Sequence, residues 1–158
     1  MKVGRRKGRL RLRLEPVEVQ LLHSLFAQLE AVLDGPDGDG AEAIRGRLVP
    51  DGYRDDPKAA DEFRRLTADT LRAERDERMD ACRAELAEGG GEIDLTDPEA
   101  ARRWIQVLND LRLAFGTRLG VTEDDRPYVD PDDPDAELRA IYHWLSAVQD
   151  SVVSELMG

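Results

Sequence analysis

"PEAARRWIQVLNDLRLAFGTRL", residues 98–119, is the stretch on which the fold turns. Trp104, Ile105, Leu108, Leu111, Phe115 and Leu119 recur at spacings of mostly three and four, which places them on one broad face of an α-helix. Asp97-Pro98 supplies the start: a carboxylate that can accept from the orphan amides of a first turn, then a proline whose missing N–H costs nothing there. So wide an apolar face belongs at the centre of a core. Off that face lie Asn109, Asp110, Arg112, Thr117 and Arg118. The plainer reading makes them ties between a core helix and its neighbours; the alternative makes them, with Arg64 and Arg65, a partner-binding surface. Gly116 costs about 1 kcal/mol relative to alanine inside a helix. It therefore points to close approach of another backbone or to an earlier helix end.

The acid–proline punctuation recurs at Glu15-Pro16, Asp56-Pro57 and Asp133-Pro134, and each pair predicts a helix start. The first helix spans 16–34, with Leu22, Leu25, Phe26, Leu29 and Leu33 as its stripe. A short helix begins near 57 with Phe63 and Leu66; Thr67 then caps a longer one running to 88, with Leu71, Met79, Cys82 and Leu86 inward. "EGGGE" stops it, Gly89 taking the left-handed position. The last helix, about 134–156, presents Leu138, Ile141, Leu145, Val148, Val152 and Leu156. "AEAIRGRLVPDGY" (41–53) has room only for a short turn, because Gly46 and Pro50 prevent anything long. Strict alternation in "RLRLRL" (9–14), and more briefly in "GEIDL" (91–95), predicts two paired strands. The fold expected is mainly α: a single-domain bundle of about five helices over residues 9–158 with a minor two-stranded ribbon, preceded by a flexible basic arm at 1–8.

At 158 residues, 41% of them hydrophobic, the chain can build one core without a disulfide or metal staple. No basic-then-apolar leader and no run of about 18 apolar residues occurs, so the reading is a soluble cytoplasmic protein without membrane attachment. Charge is unevenly placed. Residues 1–14 hold seven cations and no acidic side chain before Glu15, whereas the remaining 16 basic residues face all 34 acids, a net −18. Such a body repels phosphate backbones and favours basic protein surfaces. Direct nucleic-acid contact is therefore left to the arm, where Arg5, Arg6 and Lys7 are the candidates. No helix carries the basic face that sequence readout needs.

Catalytic and metal signatures are missing from the sequence. "DGPDGDG" (34–40) and "DPDDPDAEL" (130–138) are acidic, but counted from Asp34 an EF-hand loop would need oxygens at Pro36 and Arg45, and from Asp130 at Pro134 and Ile141. His23 and His143 are not at ligand spacing with each other or with Cys82, and neither a phosphate loop nor a nucleophile elbow occurs. We expect no enzyme, no cofactor and no bound metal. Cys82, the lone cysteine, has three readings. It is an inert core residue beside Met79 and Leu86, a thiol activated by Arg78 or Arg83, or a partner in an intermolecular disulfide.

"LNDLRLAFGTRLGV" (108–121), "YRDDPKAADEFRRLT" (53–67) and "LEPVEVQLLHSLFAQL" (14–29) together resemble an actinobacterial family, first catalogued as a domain of unknown function and often labelled AosR-type oxidative-stress transcriptional regulators. The excess of arginine over lysine, 20 to 3, agrees with such a source. The resemblance implies a mainly helical regulator without catalysis. Its partner would be a protein of the transcription machinery, such as a sigma factor or an RNA polymerase subunit. Redox response in the family is associated with two closely spaced cysteines. With Cys82 alone, an intramolecular disulfide switch cannot carry over. Two other readings stay open: a nucleic-acid binder working through the arm, and a helical adaptor. A homodimer is an open assembly state.

Overall fold

A computed structural model describes residues 1–34, 44, 48, 57–120 and 132–158; at 57, 60, 64–66, 68 and 69 the description stops at the helical backbone. Among the described residues the order is β1 (Lys2–Arg6), β2 (Arg9–Arg13), α1 (Pro16–Asp34), α2 (Pro57–Glu88), β3 (Glu92–Asp94), α3 (Pro98–Leu119) and α4 (Ala136–Met157). Ile44 and Leu48 add two helical, buried positions between α1 and α2. The protein is mainly helical, a single domain with a small antiparallel sheet.

α3 is the central element. Asp97 caps it by accepting from the Glu99 amide, Pro98 occupies the first turn, and Gly120 closes it at φ 68°. Ala100, Ala101, Trp104, Val107, Leu108, Leu111, Ala114, Phe115 and Gly116 are all buried, so α3 packs against α1, α2 and α4 together. Each fully buried leucine contributes about 1.5–3 kcal/mol. The small residues Ala100, Ala101, Ala114 and Gly116 let neighbouring helices close in. The helix does not end early at Gly116, and what approaches it is a ring instead of a backbone. A Cβ there would stand 2.9 Å from Cε2 of Tyr142 on α4.

The sheet has three strands in the order β1-β2-β3, one more than expected. Residues 1–8 were expected as a free arm, but Lys2–Arg6 pair antiparallel with β2 in the register Lys2↔Arg13, Gly4↔Arg11, Arg6↔Arg9. The two-residue turn Lys7-Gly8 has φ 51° and 76°, the left-handed geometry that matches the twist of paired strands. β1 escapes a periodicity search because Val3 is its only apolar residue. On β2 and β3, Leu10, Leu12, Leu14, Ile93 and Leu95 turn inward and join the helical core.

Four further expectations change. α2 is one helix, not two: the Thr67 hydroxyl donates back to the Phe63 carbonyl, 2.8 Å away, and caps nothing. After α2 the left-handed positions are Gly90 and Gly91; Gly89 is needed because a Cβ there would lie 2.1 Å from the Glu92 carbonyl oxygen. α4 starts at Ala136, and Asp133 accepts from the Asp135 amide at 2.9 Å and from Arg139 Nε at 3.0 Å in a turn ahead of it. Leu156 stays exposed. Asp56, Gly46, Pro50 and nearly all of the "DGPDGDG" loop lie outside the described residues, while α2 begins at Pro57 as expected.

Candidate functional site

The polar set of α3 splits in three. Asp110 points at α2, where its Oδ2 lies 3.9 Å from Arg75 Nε and 3.7 Å from Arg78 Nη2. Arg75 is 5% exposed, and its Nη2 donates to the Leu48 carbonyl at 3.0 Å. Burial raises the Asp110 carboxyl more than the two guanidiniums lower it, and burial likewise depresses Arg75. These atoms tie α3 to α2 by ion pairs longer than hydrogen bonds, and α2 to Leu48 by a hydrogen bond. Arg112 Nη2 donates to the Asn109 Oδ1 at 3.5 Å along the helix, and among the described residues neither side chain reaches another element. Arg118 is exposed and borders a small apolar crevice with Gln28, Val32 and Phe115. The side chains of Arg64 and Arg65 lie outside the described residues.

Cys82 is fully buried on α2, free, and inside the core cluster. Burial, helped by nearby Glu85, pushes its thiol up from 9.0 to about 12 despite Arg103 and Arg78. Arg83, one of the cations considered as an activator, instead pairs with Glu30 at 3.0 Å and lies 5.8 Å over the Phe26 ring. Glu85 accepts from both Arg103 and the Trp104 indole, the latter at 2.6 Å, which fixes α2 against α3.

Two groups were not anticipated. Arg75 occupies the apolar register Leu71–Arg75–Met79–Cys82–Leu86; a cation on that stripe was the available signal. Glu18 accepts from the Met1 ammonium at 2.7 Å, the Trp144 indole at 2.7 Å and the Glu15 amide at 2.9 Å. It thereby joins β1, α4 and the start of α1. Burial alone would raise the Glu18 carboxyl, but the ammonium and the two N–H donors hold it below its ordinary value. Its place three residues after Glu15 is that of a capping-box acid.

A strongly charged described surface is the outer face of the sheet. The register aligns Lys2 with Arg13 and Arg6 with Arg9, with Arg11 beside Gly4, so five cations share one face around a shallow depression of about 260 Å³. On β3, Asp94 pairs with Arg9 at 3.5 Å, and Glu92 pairs with Arg11 and, at 4.0 Å, Arg13. Of the arm candidates, Arg6 sits on this face, Lys7 in the turn, and Arg5, which also borders the depression, donates to the Glu155 carbonyl at 3.3 Å. Among the described residues no three of His, Cys, Asp and Glu gather as a metal site, and no helix is long and apolar enough to cross a membrane.

The arrangement is that of a small helical domain with a basic sheet face on an acidic body. The chain belongs to the family described as Domain of unknown function (DUF2017), whose model matches residues 1–156. It is 31% identical to proteins named Oxidative stress regulator AosR from Mycobacterium bovis (strain ATCC BAA-935 / AF2122/97) and Mycobacterium tuberculosis (strain ATCC 25618 / H37Rv). Those matches cover 95% of this chain and 83% of each relative. A Putative oxidative stress regulator AosR from Mycobacterium leprae (strain TN) is 30% identical over the same shares. No solved structure matches the chain.

Proposed function

We propose that this protein is a cytoplasmic regulator that modulates transcription in a stress response by binding a protein of the transcription machinery, a sigma factor or a polymerase subunit. We assign it no catalytic step. The observation that carries this reading is the relationship, along 95% of the chain, to proteins named oxidative stress regulators. The charge layout supports a protein partner over a duplex. Residues 15–158 carry all 34 acids, and three of the five outer-face cations already pair with Glu92 or Asp94. The test is tagged co-purification from an actinobacterial lysate, with and without peroxide, each half-treated with nuclease. A transcription protein recovered after nuclease supports the reading. Recovery of nuclease-sensitive material alone refutes it.

One observation favours a second reading. Lys2, Arg6, Arg9, Arg11 and Arg13 converge on one depression, as a phosphate-binding face would require. A nucleic-acid binder would lose affinity, and much of its salt dependence, in an Arg6→Glu, Lys7→Glu double variant.

A further inference from the structure

β1 is an edge strand, and the hydrogen-bond parity of the sheet fixes which of its groups are free. The Leu95 amide donates to the Leu10 carbonyl at 2.8 Å and the Leu14 amide to the Gly91 carbonyl at 2.7 Å, so the even residues of β2 face β3. The odd residues Arg9, Arg11 and Arg13 therefore exchange bonds with their partners Arg6, Gly4 and Lys2 on β1. Val3 and Arg5 are left with backbone N–H and C=O pointing away from the sheet, and no described backbone group meets them. That open edge borders a groove of about 570 Å³ between Met1, Lys2 and Val3 on one wall and Asp150, Ser151, Ser154 and Glu155 of α4 on the other.

We propose that this edge and groove accept one extended, acidic strand of a partner protein, added antiparallel to β1. The proposal rests on the protein-binding reading above and names the docking surface and the partner's chemistry. Side chains of an added strand alternate between faces. Those beside Lys2 and Arg6 meet cations that no described carboxylate pairs, so they are acidic. Those opposite Val3 and Arg5 meet Arg5 itself, the two serines, Asp150 and Glu155, so they are small or hydroxylic. A second copy of β1 fits poorly: antiparallel pairing about Gly4 sets Lys2 against Arg6, a like-charge pair. Single-stranded nucleic acid also fits poorly, because this face has no aromatic side chain on which a base would stack.

The test uses the intact, isotope-labelled protein and a blocked heptapeptide alternating glutamate with threonine. On binding, the amides of Val3 and Arg5 become protected from exchange, and shift changes cluster on β1 and the last turns of α4. N-methylating the threonines, which face Val3 and Arg5, weakens binding about tenfold or more; N-methylating the glutamates leaves it intact, and a lysine-for-glutamate peptide does not bind. No protection at Val3 and Arg5 overturns the proposal. So does binding indifferent to threonine N-methylation, or an oligothymidylate that occupies the face while the peptides do not. A partner recovered by co-purification whose cross-links avoid β1 would overturn strand addition and leave the regulatory reading standing.

Discussion

Mixing the native protein with dithionitrobenzoate near neutral pH tests directly whether Cys82 can sense an oxidant. The thiolate is the reactive form, and burial moves the thiol from 9.0 to about 12. That alone cuts the thiolate fraction at neutral pH about a thousandfold. Full burial among Met79, Leu86 and Trp104 adds a second barrier, since the reagent reaches the sulfur only when the core opens. Labelling in native buffer should therefore run at least about a thousandfold slower than in urea. Its rate should also fall further with any stabilising change. The linkage has a definite sign. The folded thiol stays protonated where the unfolded one ionises, so stability is lost as pH rises past 9.0 towards 12. A Cys82→Ala variant should lack that alkaline loss and keep any response to peroxide. Native labelling within about tenfold of the unfolded rate would refute this reasoning and return Cys82 to the sensing role.

Three further outcomes follow from the geometry. Asp110→Ala leaves the buried Arg75 without its carboxylate and should cost about 3 kcal/mol in urea unfolding, the lower end for a broken buried pair because the contacts are long. An Arg75→Met, Asp110→Leu double variant should cost less than Asp110→Ala alone, and equal loss would show that the pair is not what matters. The Glu18 carboxyl is depressed in the fold, so its contribution is fully present above 4.5 and is lost below it, as pH falls through the lower value of the folded carboxyl; the difference in Tm between wild type and Glu18→Gln should vanish in strong acid, and a constant difference would contradict the clamp. Gly89→Ala drives a Cβ into two backbone carbonyls, of Glu92 and Glu85, and should cost about 1–3 kcal/mol, whereas Gly4→Ala meets nothing within 4 Å and should be tolerated far better in the same melts.

What the sequence discloses depends on whether a residue's role is set locally. α1, α3 and β2 follow from periodicity and caps, because Leu22 to Leu33, Trp104 to Phe115 and Leu10 to Leu14 each repeat the period of their element. The division expected at Thr67 does not occur, because a hydroxyl bonding back four residues fits mid-helix as well as a cap. β1 is held by a long reach: its register with β2, the Met1–Glu18 ion pair and the Arg5–Glu155 bond, none of which leaves an apolar alternation to read. The candidate site shows the same limit. Asp110 stands out in an apolar helix, but its partners Arg75 and Arg78 lie on another helix, and only the odd cation in the α2 stripe hinted at them. Asn109, Arg112 and Arg118 shared a helix with Asp110 without sharing its surroundings.

The interior and the sheet edge divide the work of the molecule physically. Among the described residues, the long-range ties of the core are apolar, and those with charges, Arg75–Asp110 and Glu85–Trp104, run between helices and present little to solvent. β1 contributes Val3 alone to that core, so removing its outward side chains exposes almost no apolar surface. Its attachment depends instead on the β2 ladder, the two-residue turn, the Glu18 clamp and one bond to the end of α4. Those of these ties that face solvent each contribute at most about 1 kcal/mol. β1 is thus an element whose outward side chains can be changed without opening the core, and whose detachment breaks mostly polar contacts. Both properties suit a binding edge, and they mean that variants there report on binding while variants in α3 report on folding.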